Sequence, residues 1–233
     1  MPVTPTPLSP EDLAVLDRAT TLFGRALAGG LDGDCEACPG WTRRDCANHV
    51  LGGGLRYAAY FPRLPESEIE WTRTADHAGE KPVPALHRTS AGLRRELARA
   101  RDADAIVQHR LAEIPVRDLL VLRVFELLVH AHDLDSRTWD STEAEDLAAW
   151  TLDHARSVVE LMRSFDVLAE ARPVTLGADS RARLLALSGR RPSPAGPVGD
   201  GDGAPIAAGT IRTRAGHRAG RCPPRAAAGR ARS

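Results

Sequence analysis

Apolar residues recur every three or four positions along most of this chain, the spacing that gathers them on one face of a helix. Ser9-Pro10-Glu11-Asp12 opens the first helix with a capping serine, a first-position proline and acids in the first turn. Leu13, Leu16, Thr20, Phe23 and Leu27 follow at helical spacing until Gly29-Gly30 ends the run. Thr42, with Asp45 three residues on, opens a second helix that reaches about Phe61 and stops at Pro62. Residues 62–82, rich in Pro, Glu and Thr, are predicted to be a long connection. A third helix covers roughly 84–101, with Leu86, Leu93 and Leu97 inward, and residues 102–115 are irregular or briefly extended. The fourth helix spans about 116–138, and a fifth runs from Thr142-Glu143 to about Ala169. Strand-like alternation is almost absent. The pattern therefore predicts an all-α protein, an up-and-down bundle of four main helices around one core with an extra terminal helix.

Beyond Arg172, Pro173-Val174-Thr175-Leu176 is the last stretch suited to an ordered extension, and residues 181–189 suit a short helix. From Pro192 onward the chain is Gly, Pro, Ala and Arg with almost nothing large and apolar. Such a segment buries too little surface to offset the entropy of ordering, so disorder is expected there. The expected division is thus a helical domain over 1–191 and a tail over 192–233. At 233 residues, 42% hydrophobic and 27% charged, the chain is ordinary for a globular protein. Formal net charge is zero, but seven Arg against two Asp beyond residue 191 leave residues 1–191 at −5. A mildly acidic domain gives no support to nucleic-acid binding. No run of about 18 apolar residues suggests a membrane span, and Met1-Pro-Val-Thr-Pro-Thr-Pro7 lacks the regions of a signal peptide. A cytoplasmic location is expected. Cys35, Cys38, Cys46 and Cys222 are too few for a disulfide framework in a chain this long, so reduced thiols are expected.

The chemistry concentrates in Glu126-Leu-Leu-Val-His130-Ala-His-Asp133, on the apolar fourth helix. Four residues is just over one turn, so Glu126 and His130 project about 40° apart and can grip one divalent metal if another helix adds a third ligand. The segment from Cys38 to His49 is the expected source of that ligand. Two other readings stand beside this one. Arg123, Glu126, His130, Asp133 and Arg137 fall within an arc of about 80° and could form a solvated stripe of ion pairs. Alternatively, Cys35-x-x-Cys38 with Cys46-x-x-His49 has the outline of a closed structural zinc site, which would compete for His49. His132 points to the opposite side of its helix, where a core or interface role is expected. Trp41 is expected to pack under the start of the second helix, and Trp71, Trp139 and Trp150 to serve core or hinge packing. Gly52-Gly53-Gly54 follows no strand, so a phosphate loop is a poor reading, but a neighbouring helix or ligand can approach closely there.

Pro39-Gly40-Trp41-Thr42-x-x-Asp45-x-x-x-His49 and Glu126-x-x-Val129-His130-Ala131-x-Asp133-Leu134 occur together and in order. Both resemble the DinB-like metal-binding four-helix bundles, in the branch named for the N-terminal domain of mycothiol-dependent maleylpyruvate isomerase. The resemblance extends over roughly residues 10–191, although Cys46 stands where the family usually carries an apolar residue. It implies that His49, Glu126 and His130 bind one divalent metal, with zinc the default and nickel, iron or manganese also compatible. Two imidazoles and a carboxylate leave coordination positions open, the pattern of a catalytic site. The resemblance further implies a low-molecular-weight thiol such as mycothiol, and an electrophilic substrate, as small-molecule partners. The expected activity is a thiol-dependent isomerase or S-transferase. The alternative is a non-catalytic metal-binding bundle, or a degenerate relative without the C-terminal domain that many full-length members carry. Asp133 is expected either to orient His130 or to pair with Arg137 at the surface.

Overall fold

The computed structural model describes residues 4–191. Four long helices make the bundle: α1 (Pro10–Ala28), α2 (Arg43–Ala59), α4 (Pro82–Arg99) and α5 (Val116–Leu134). Each of α1 and α2 packs against both α4 and α5, which closes the four around one core. The capping logic of the sequence holds at both early starts. Ser9 and Asp12 exchange side-chain-to-backbone bonds in a capping box, and so do Thr42 and Asp45. Leu86, Leu93 and Leu97 are buried on α4, as expected.

The connection after α2 holds a four-residue helix α3 (Glu66–Ile69) and a 3-10 turn at Glu70–Arg73. Between α4 and α5, β1 (Ile106–Gln108) and β2 (Glu113–Pro115) pair antiparallel. Downstream lie α6 (Thr142–His154), α7 (Arg156–Ser164) and α8 (Ser180–Leu187), with α8 packed on α6 and α6 on α5. Residues 173–176 carry no regular structure. The expected disorder over 192–233 lies outside the described residues. Among the described residues no helix is long and apolar enough to cross a membrane.

Three boundaries differ from the sequence pattern. Helix α5 stops at Leu134, not near 138, because Asp135 turns extended (φ −153°, ψ 100°) and its side chain accepts from the Arg137 amide. The single fifth helix over 142–169 is instead two, hinged at Ala155. In the turn before that hinge Thr151 Oγ1 donates to the Leu147 carbonyl and His154 Nδ1 to the Trp150 carbonyl. Such back-bonding bends a helix, and here it lets the apolar face of α7 (Val158, Val159, Met162) fold onto α5. The second of the two helices then ends at Ser164, where Asp166 adopts a left-handed φ of 55°. Trp139 is buried and Trp150 partly so, but Trp71 is 54% exposed and sits against His77 instead of in the core.

Candidate metal centre

Helix α2 carries Cys46 and His49 on one face, and α5 carries Arg123, Glu126, His130 and Asp133 facing it. The two helices come close because Gly53 has no side chain. A Cβ there would lie 3.0 and 3.1 Å from the Glu126 carboxylate oxygens and 3.1 Å from Arg123 Nη1. The glycine run thus admits a neighbouring helix. Arg123, with 0% exposure, donates from Nη1 to the Val50 carbonyl (2.8 Å) and to Glu126 Oε2 (2.7 Å). It ties the two helices together and offsets the buried carboxylate. Glu126 Oε1 faces His49 Nε2 at 3.1 Å.

The His130 ring lies 5.2 Å from that of His49, centroid to centroid, and Trp41 covers both, 5.1 Å from His49 and 6.4 Å from His130. His130 Nδ1 lies 2.8 Å from Asp133 Oδ2 and 3.5 Å from Cys46 Sγ. Asp133 is gripped by Arg190, whose Nε and Nη2 donate to the two carboxylate oxygens at 2.8 and 2.6 Å. Arg123, Glu126, His130 and Asp133 are all buried, so the solvated-stripe reading fails. Only Arg137 of that arc faces solvent, and it pairs with Asp135, not Asp133.

These contacts set the protonation pattern. Burial works against the charge of Glu126, but the His49 hydrogen bond and the Arg123 charge prevail and hold it at about 2. Burial pulls His49 below the ordinary imidazole range, against the opposing pull of Glu126. Burial also works against the His130 cation, yet the bond to Asp133 and the contact with Cys38 raise it to about 9. Asp133 stays well below the carboxylate range because Arg190 and His130 outweigh its burial.

His49 and Glu126 are in direct contact and His130 is beside them, on the wall of a cavity of about 1100 Å³ that Trp41, Arg56, Tyr57 and His109 also line. Among the described residues, the donor atoms that lie within 4.8 Å of one another are those of Cys38, His130 and Asp133, so His49, Glu126 and His130 do not form so tight a group. The donor chemistry nonetheless fits a divalent ion. Asp133 engages Nδ1 of His130 and leaves Nε2 for a metal, a common way to orient a ligating imidazole. Arg123 takes one oxygen of Glu126 and leaves the other facing His49. His132 packs edge-on to Trp139 instead, with centroids 5.9 Å apart. The zinc outline drawn from Cys35, Cys38, Cys46 and His49 is changed, since His49 belongs to the Glu126 side. Sequence reasoning missed the Arg190 clamp and the Trp41 cover. Arg190 lies 57 residues from Asp133, and no local spacing signals that contact.

A family model described as the mycothiol maleylpyruvate isomerase N-terminal domain matches residues 13–135, which include every expected ligand. Two uncharacterized proteins of Mycobacterium tuberculosis, from strains CDC 1551/Oshkosh and ATCC 25618/H37Rv, are each 30% identical over 145 residues. The match covers 61% of this chain and 74% of each relative. The crystal structure of the mycothiol-dependent maleylpyruvate isomerase aligns with a TM-score of 0.43 and 17% identity, over 68% of this chain and 69% of that one. With its family model covering more than half of its length, the chain belongs to the mycothiol maleylpyruvate isomerase N-terminal domain family.

Proposed function

We propose that this protein holds a divalent metal between α2 and α5 through His49, Glu126 and His130, and directs a low-molecular-weight thiol of the mycothiol type at an electrophilic substrate. The observation that carries this reading is the contact of His49 Nε2 with Glu126 Oε1 at 3.1 Å on a cavity wall, beside an imidazole whose other nitrogen is engaged by Asp133. When bound, the metal supplies a lowered pKa to a coordinated thiol that would otherwise titrate near ~8.5. Zinc is the default for two imidazoles and a carboxylate, and nickel, iron and manganese accept the same donors.

The chain's own residues do the rest. Arg123 keeps Glu126 ionised in a buried setting, and Asp133 fixes the orientation of His130. Trp41 packs against both imidazoles and, with them, lines the cavity that gives small molecules access. The thiol class rests on the family, and the reaction class is addition, rotation and elimination at an activated double bond, or S-transfer. The test is turnover of a panel of electrophiles with and without mycothiol, in the metal-loaded and the chelator-treated protein. Turnover that needs both thiol and metal supports the proposal. Tight metal binding without thiol-dependent turnover supports the alternative, a non-catalytic metal-binding bundle.

A further inference from the structure

Cys35, Cys38 and Cys46 converge behind His130, on the side away from Glu126. The loop before α2 is closed on itself: the Cys38 amide donates to the Cys35 carbonyl (3.0 Å), the Trp41 amide to Cys38 (3.0 Å), and the Cys35 amide to Trp41 (2.9 Å). Gly40 makes the turn at φ 85°, a conformation that favours glycine. The Thr42–Asp45 capping box then fixes Cys46 one turn into α2. As a result Cys38 Sγ lies 3.5 Å from Asp133 Oδ2, Cys35 Sγ 3.7 Å from the Asp133 carbonyl oxygen, and Cys46 Sγ 3.5 Å from His130 Nδ1. The three thiols also interact with one another.

We infer that this cluster is a second cation site, in which Cys35, Cys38 and Cys46 hold a thiophilic divalent ion of the zinc class with the Asp133 carboxylate as fourth donor. One spacing in the cluster already suits it. Zinc bonds of about 2.3 Å to sulfur and about 2.0–2.2 Å to oxygen put neighbouring donors of a tetrahedron roughly 3.3–3.8 Å apart. The Cys38–Asp133 contact already has that length, whereas Cys35 and Cys46 lie outside the 4.8 Å group that Cys38 forms with Asp133 and His130, so their sulfurs must draw in on the ion. All three lie in the apolar core, yet Cys38 abuts a carboxylate and, at 4.0 Å, the Arg190 guanidinium, Cys46 abuts an imidazole, and Cys35 a backbone carbonyl. That guanidinium offsets part of the negative charge of a loaded site. The site does not need His49, but it shares Asp133 with the His49–Glu126–His130 site, where the same carboxylate oxygen engages His130.

Cobalt distinguishes the two, because thiolate ligands give a near-ultraviolet charge-transfer band that imidazole and carboxylate do not. The full chain, reduced and stripped with a chelator, is titrated with Co²⁺ under anaerobic conditions. Two equivalents per chain are expected, one of them with the thiolate band. The Cys35→Ser/Cys46→Ser double variant should lose the band and keep one equivalent, with unchanged helicity showing that it folds. His49→Ala should keep the band and lose the other equivalent, and Cys222→Ser should change neither. Absence of the band in the wild type, its survival in the double variant, or its loss in Cys222→Ser overturns the inference. Loss of the bandless equivalent alone would count against the bundle site and leave the cysteine site standing.

Discussion

Asp133 serves three partners with one carboxylate: His130 Nδ1, the Arg190 guanidinium and the Cys38 thiol. Asp133→Asn keeps the shape but weakens the hold on His130, and metal affinity should fall about 10–100-fold by calorimetric titration. Wild-type affinity in that variant would remove Asp133 from the site. Arg123 poses a different question, since it is fully buried beside Glu126. Arg123→Met strands that carboxylate with His49 as its remaining partner, and about 3 kcal/mol of stability should be lost in urea denaturation. His109 gives a pH signature away from the expected ligands. Burial, then the charges of Arg110 and Arg56, lower it to about 4, and it sits edge-on to Tyr57 and Tyr60. Its folded value is below its unfolded one, so the unfolded chain binds more protons between about pH 6.5 and 4. Stability from this group is present above pH 6.5 and lost as pH falls through that window, by about 3 kcal/mol near pH 4. His109→Phe should flatten that part of the stability profile, and an unchanged profile would refute the assignment.

At the scale of elements, the packing of α2 depends on its glycines: Gly53 admits α5, and Gly52 admits the turn at Glu70–Arg73. Helix propensity alone says that alanine at Gly52 should stabilise α2 by about 1 kcal/mol. The added Cβ would lie 2.0 Å from the Thr72 carbonyl oxygen, a backbone atom in the 3-10 turn. Overpacking costs about 1–3 kcal/mol or more, so the clash wins and Gly52→Ala should lower the thermal midpoint. A rise would mean that the turn gives way freely. Helix starts were legible in the sequence because Ser9 and Thr42 cap with residues three positions away. The end of α5 and the hinge at Ala155 were not, because side chains of Asp135, Thr151 and His154 that are compatible with a helix bond to backbone instead.

On the scale of the whole molecule, the chain returns after α8 to bring Arg190 back onto Asp133 at the C-terminal end of α5. A chain ending at Arg191 should therefore keep the thermal midpoint and the metal, whereas Arg190→Met in the full chain should weaken metal binding. Equal affinity in Arg190→Met would show that the guanidinium is dispensable. The shared face of Glu126 and His130 was legible from one helical turn, and the approach of His49 to it was expected only from the family resemblance of its Pro-Gly-Trp context. The convergence of Cys35 and Cys38 on Asp133 was not, since it joins residues 98 and 95 positions apart. The most direct measurement is the metal content of His49→Ala, Glu126→Ala and His130→Ala against the wild type, by elemental analysis of folded protein. Each variant should lose one equivalent per chain. Full retention in Glu126→Ala, with helicity intact, would contradict a metal held between α2 and α5.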